Sequence, residues 1–172
     1  MWNRKGSKMG YGIGTIIQAM IRYNGADAAR IQHALKVFAF AKGIGELQKL
    51  DEKQMETLEI AAVLHDIGIH NSEKKYASPG GKYQELEGPP VAKELLMQAG
   101  IPDDITDRVC FLIGHHHTYT QIDGIDYQIL IEADFLVNLY EEDLGRTQAQ
   151  TVLNKYFKTD AGKEYLTTMF LS

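Results

Sequence analysis

Apolar residues recur every three to four positions along almost the whole chain, and no stretch sustains an alternation of period two, so the pattern predicts helices and no sheet. Ile13, Ile16, Ile17, Met20 and Ile21 form a first stripe that stops at Asn24-Gly25. Asp27 then reads as the cap of a helix that carries His33 and ends near Gly43 and Gly45. Asp51 opens a third helix, running through Leu58, Ala62 and Leu64 to His65-Asp66 and Gly68. Residues 70–88 are polar and glycine-bearing, with Ser78-Pro79-Gly80-Gly81 as a turn, and are expected to form a long loop. Pro89-Pro90 is expected to start a helix ending at Gly100, and Pro102 another that ends in His115-His116-His117. Asp126 is the expected cap of a helix holding Asp134. Thr147 with Gln150 resembles a capping box for a helix to about Lys158, and Asp160 caps a last short one. With no repeat, linker or low-complexity tract, residues 1–172 read as one all-α bundle.

Composition narrows the class. A chain of 172 residues, 44% hydrophobic, can bury a core without staples. The net charge of −5 and the absence of a basic stripe argue against a nucleic-acid surface. An acidic protein that handles phosphates needs local cations, which a metal centre supplies. The single Cys110 forms no internal disulfide, reads as a small buried hydrophobe and suggests a reducing, cytoplasmic setting. No apolar run reaches the roughly 18 residues of a membrane span. Arg4, Lys5 and Lys8 precede residues 13–21, but Gly14, Thr15 and Gln18 interrupt that run, so it reads as a helix and not a signal peptide. Met9-Gly10-Tyr11-Gly12-Ile13-Gly14 lacks a preceding strand and the full dinucleotide spacing, and is taken as a flexible entry to the first helix.

The chemistry concentrates in four positions. His65 and Asp66 end the apolar run Ile60-Ala61-Ala62-Val63-Leu64, where Ala61 and Ala62 leave space over the imidazole. His33 is flanked by Val37 and Phe40, and Asp134 by Leu130, Ile131 and Val137. A buried carboxylate without a partner costs several kcal/mol, and a cation in front of it removes that cost. Taken singly, each histidine is better explained as a hydrogen-bonded core residue and each aspartate as a cap. Together, on the inward sides of predicted helices, they form a nitrogen and oxygen donor set suited to Mn, Fe, Co, Ni or Zn and poorly suited to calcium.

The order His33, His65-Asp66, Asp134, in the contexts Arg-Ile-Gln-His-Ala-Leu-Lys-Val, Leu-His-Asp-Ile-Gly and Glu-Ala-Asp-Phe-Leu-Val-Asn-Leu, resembles the HD superfamily of metal-dependent phosphohydrolases over about residues 27–140. The resemblance implies an HD-type helical bundle with a metal site among its central helices, and hydrolysis of a phosphate ester of a nucleotide or similar metabolite. Several branches hold a second ion through extra histidines. Here Ile113-Gly114-His115-His116 places His116 at one such position, while Leu86-Glu87-Gly88-Pro89 has glutamate at the other. Glu87 is therefore either a substitute ligand or a first-turn anion favoured by the helix dipole.

The cyclic-dinucleotide-degrading branch has a lysine soon after His-Asp-Ile-Gly and a Gly-Tyr-Pro element, where this chain has Ile69 and Gly124-Ile125-Asp126-Tyr127, so that branch is not expected. The chain resembles a small stand-alone member. The expected chemistry is attack by metal-activated water, with Asp66 orienting the water. His117 is a candidate acid or phosphate contact or a simple surface histidine, and Lys82 a candidate phosphate-neutralising residue or an exposed loop lysine. One ion is expected, with ligands in place for a second, and a homo-oligomer is left open. The alternatives are a non-catalytic nucleotide- or metal-binding sensor, or a scaffold with a vestigial site.

Overall fold

The computed structural model describes residues 12–172. Among them all regular structure is helical: α1 (Ile13–Asn24), α2 (Ala28–Leu47), α3 (Glu52–Leu64), α4 (Ile69–Tyr76), α5 (Gly81–Gln98), α6 (Asp103–Ile113), α7 (Ile125–Glu141), α8 (Arg146–Tyr156) and α9 (Asp160–Leu166), the last continuing into a π-helical turn at Thr167–Leu171. Arg4, Lys5, Lys8 and most of the glycine run fall outside the described residues. Gly12 stands at the N-cap of α1 and Gly14 lies within it.

Several starts follow from local chemistry. Asp27 accepts a hydrogen bond from the Arg30 backbone N–H at 3.2 Å. Asp51 and Gln54 close a reciprocal capping box, with Asp51 accepting from Gln54 N at 2.8 Å and Gln54 Oε1 accepting from Asp51 N at 3.2 Å. At the other end of α1, Gly25 takes a φ of 60° and donates its N–H to Ile21 O.

Other expectations are corrected. Residues 70–88 are not a long loop, because they contain α4 and the first two turns of α5. Helix α5 begins at Gly81 and runs across Pro89-Pro90. An interior proline costs about 3 kcal/mol in an isolated helix. Tertiary bonds hold the segment ahead of the prolines in place, as Glu85 Oε1 accepts from His117 N and Thr118 Oγ1, both at 3.0 Å. Helix α2 passes Gly43 and Gly45 to Leu47, since Gly45 lies against Met55 and Leu58, where a Cβ would sit 2.9 Å from Met55 Cε. Asp126 does not cap α7: Gly124 is the N-cap, and Arg108 binds the Asp126 carboxylate at 2.7 and 2.9 Å. Thr147 and Gln150 form no capping box, and Thr159 rather than Asp160 caps α9. Cys110 is half-buried, with Sγ 3.6 Å from Pro89 O.

The centre of the bundle is α2, α3 and α7, which pack on one another, with α6 against α3, α5 against α6, and α4 against α5. Val37, Ala41 and Ile44 meet Leu58, Ala61, Ala62 and Leu64, along with Leu130, Ala133 and Leu136, all fully buried. Helix α7 is buried along most of its length, its apolar residues in the core and its buried Asp126, Gln128, Glu132 and Asp134 each met by a polar partner. No described helix is long and apolar enough to cross a membrane.

Candidate metal centre

His33 projects from the second turn of α2 and Asp134 from the middle of α7, while His65 and Asp66 occupy the turn that follows α3. That turn is tight because Gly68 meets α5 backbone to backbone: a Cβ there would lie 2.5 Å from Gly88 N and 2.8 Å from Gln84 O. His116 lies in the turn after α6, held where the Tyr127 hydroxyl donates to His115 O at 2.6 Å. Residues 33 to 134 thus converge from separate helices onto one point.

The convergence is close. His33 Nε2 is 3.2 Å from both His65 Nε2 and Asp134 Oδ1, and 3.5 Å from Asp66 Oδ2. His65 Nε2 is 3.5 Å from Asp66 Oδ2 and 3.6 Å from Asp134 Oδ1. The other Asp66 oxygen faces His116 Nε2 at 3.3 Å. His65 and His116 are fully buried, and Asp66, with a fifth of its side chain exposed, is the most open of the group.

Each of these imidazoles is oriented by its outer nitrogen. His65 Nδ1 donates to Ala62 O at 2.8 Å, His116 Nδ1 to Ile113 O at 2.7 Å and His33 Nδ1 to Glu141 Oε2 at 2.8 Å. These partners can only accept, so each Nδ1 carries a ring proton, and each ring in its neutral form turns its Nε2 lone pair inward. Asn138 donates to Asp134 Oδ1 at 3.0 Å and fixes that carboxylate from one turn away. Acceptor atoms of His33, His65, Asp66 and Asp134 therefore crowd together, an arrangement that positive charge, as a proton or a metal cation, stabilises.

The titration tendencies show how strongly the carboxylates call for positive charge, since with no cation present they favour an added proton on the imidazoles. Burial disfavours a charge on His65, yet Asp66 and Asp134 push its pKa up to about 9. Burial likewise opposes charge on His33, which Asp134 nonetheless holds above the ordinary imidazole value. Asp134 stays below the usual carboxylate range against its burial because His33 and His65 hydrogen-bond it, and Asp66 does so because of His65 and His116. Donor-to-donor spacings of 3.2 to 3.6 Å also suit a small divalent ion. Ligands about 2.1 Å from such an ion stand about 3.0 Å apart at right angles and about 3.4 Å apart in a tetrahedron. The residues present fit a transition-metal cation.

Two donor groups meet here, His33 with His65 and Asp66, and Asp66 with His116 and His117. An HD domain family model matches residues 30–156. The chain belongs to the HD family. The crystal structure of a predicted HD superfamily hydrolase from an uncultured Thermotogales bacterium shares the HD fold with it: 23% identity, 89% of this chain and 82% of that chain covered, TM-score 0.64. No curated protein matches the chain.

Within this HD protein the expected ligands His33, His65, Asp66 and Asp134 come together, and His116 joins them through Asp66. Glu87 does not. With α5 starting two turns earlier than expected, Gln84 and Gly88 face the His-Asp turn and Glu87 faces α4, where Lys75 donates to it at 2.5 Å and Tyr76 at 3.0 Å. Lys82 is exposed in the first turn of α5 rather than in a loop, and makes no ion pair among the described residues. His117 is half-buried beside His116, their ring centroids 4.0 Å apart, and burial, with His116 next to it, lowers its pKa to about 4. His115 turns away onto Phe111.

Sequence reasoning missed Glu141, Asn138, Gln84 and Glu85. The signal for Asn138 was its position one turn after Asp134. Glu141 is 108 residues from His33 and had no local signal.

Proposed function

We propose that this protein is a metal-dependent phosphohydrolase that cleaves a phosphate ester of a nucleotide or similar small metabolite. The inward lone pairs of His33 and His65 beside Asp66 and Asp134 carry the reading. A divalent cation such as Mn, Fe, Co, Ni or Zn bound there supplies Lewis acidity and activates water near neutral pH.

The chain's own residues do the rest. Asp66 points one oxygen at His33 and His65 and the other at His116, so it can accept a proton from a water between the two groups. His116 and His117 offer further electron pairs beside it. His117, whose pKa burial and His116 lower to about 4, suits a ligand or proton acceptor better than the acid that was one of its candidate roles. Lys82, exposed on the helix whose first residue packs against the His117 ring, would neutralise a substrate phosphate. Purified protein loaded with each metal in turn and offered a nucleotide panel and an aryl phosphate tests this. Phosphate release that disappears in Asp66→Ala supports it. No release with any metal, while metals still raise Tm, leaves the non-catalytic binding reading instead.

A further inference from the structure

Gln84 is 7% exposed and lies on the face of α5 turned toward the His116-His117 peptide. Its amide has two polar neighbours. Gln84 Nε2 is 2.7 Å from Pro79 O, and Gln84 Oε1 is 3.1 Å from His117 Nε2. A peptide carbonyl only accepts, so the amide nitrogen must face Pro79 and the amide oxygen must face His117. That oxygen also only accepts, so His117 Nε2 carries the ring proton. A neutral imidazole has one N–H, which leaves the His117 lone pair on Nδ1. This is the opposite tautomer to His33, His65 and His116, each of which donates from Nδ1.

The ring is fixed as well as the proton. His117 N donates to Glu85 Oε1 at 3.0 Å, and a Cβ at Gly81 would lie 2.6 Å from His117 Cγ, so α5 presses on the imidazole. The His117 ring offers a nitrogen within 4.8 Å of donor atoms of Asp66 and His116. With Nε2 committed to Gln84, the lone pair that the ring can offer to a cation is the one on Nδ1.

We propose that Gln84 is a positioning residue: its amide, oriented by Pro79, sets the tautomer of His117 so that Nδ1 serves, with Asp66 and His116, as a donor to a cation. The role of the lone pair rests on the metal-binding reading above, whereas the tautomer does not. A hydrogen-bonded partner of this kind holds a metal-binding imidazole in the useful tautomer, and its loss typically costs 10- to 100-fold in metal affinity.

Histidine side-chain nitrogen NMR on the metal-free protein reads the tautomer of His117 directly, with His117 assigned by the loss of its signals in His117→Asn. The wild type is expected to show the proton of His117 on Nε2 and a free Nδ1. Gln84→Met removes both amide contacts at similar volume and should move part of the His117 proton to Nδ1. Gln84→Glu keeps an acceptor for His117 but cannot donate to Pro79, so it should retain the wild-type tautomer. A purely structural tether to Pro79 would instead leave Met and Glu variants alike. A wild-type proton on Nδ1, or a Met variant indistinguishable from wild type, overturns the proposal.

Mn²⁺ titration followed by EPR supplies the second readout. Gln84→Met should weaken the ion held by Asp66, His116 and His117 about 10- to 100-fold and leave the ion at His33, His65 and Asp134 unchanged. Unchanged affinity at every step overturns the role of the lone pair. A wild type that binds no Mn²⁺ refutes that role together with the metal-binding reading, and the tautomer result stands or falls by itself.

Discussion

Glu132 is fully buried in α7 and makes no ion pair among the described residues, yet it is the point where the C-terminal segment docks. Its Oε1 accepts from Gln128 Nε2 at 2.7 Å, Lys158 N at 2.6 Å and Thr159 N at 2.9 Å, and its Oε2 contacts the Thr159 hydroxyl. Replacing Glu132 by Ala strands the Lys158 and Thr159 backbone donors. Gln128 keeps a second acceptor in Tyr156 O, and the Thr159 hydroxyl can rotate. Lys158 is exposed, so its N–H can turn to water, and the one buried, unpaired N–H of Thr159 gives a loss of about 1–3 kcal/mol. For a chain of this size about 1 kcal/mol shifts Tm by about 2–4 °C, so Glu132→Ala should melt at least about 2 °C lower. Glu132→Gln keeps an oxygen for both backbone donors and should lose under half as much. Thermal melts followed by circular dichroism, with metal content measured on the folded protein, make the comparison. An alanine variant melting with the wild type, or a glutamine variant as unstable as the alanine one, would refute the reasoning.

Three further outcomes follow from the same geometry. Gly68→Ala forces a Cβ into the backbone of α5 and should cost about 1–3 kcal/mol by overpacking, with weaker metal binding because Asp66 is two residues away; an unchanged melting curve and metal affinity would contradict the close approach. His65→Ala removes a donor from the group that faces His33 and Asp134 and should abolish stoichiometric metal retention, measured by elemental analysis after dialysis. Lys75 holds the Glu87 carboxyl below its ordinary value, against burial and with help from Tyr76. A depressed carboxyl pKa stabilises the fold above the unfolded value of about 4.5 and loses that contribution as pH falls through the folded value. The stability gap between wild type and Glu87→Gln should therefore be constant near neutrality and shrink in acid; a gap that widens in acid denaturation curves reverses the sign.

The helices were legible wherever their signals act within one or two turns. Asp27 and Asp51 cap as their positions suggest, and the apolar spacing locates α2, α3 and α7. The convergence of His33, His65, Asp66 and Asp134 was legible too, because a histidine or aspartate set into an apolar helix needs a partner, and several such residues share one economical explanation, whereas His116 was reached only through the family resemblance. Tertiary structure alone decided the rest. Arg108 takes Asp126 away from capping, because an arginine fork 18 residues earlier offers two bonds where the helix end offers one. Lys75 and Tyr76 take Glu87 away from the metal centre because α5 starts at Gly81, a start supported by Glu85 reaching the turn after α6. Glu141 on His33 and Gln84 on His117 left no trace in the sequence, since an acceptor is recognised only by what stands 3 Å from it, and residues 108 and 33 positions apart carry no spacing that announces such a meeting.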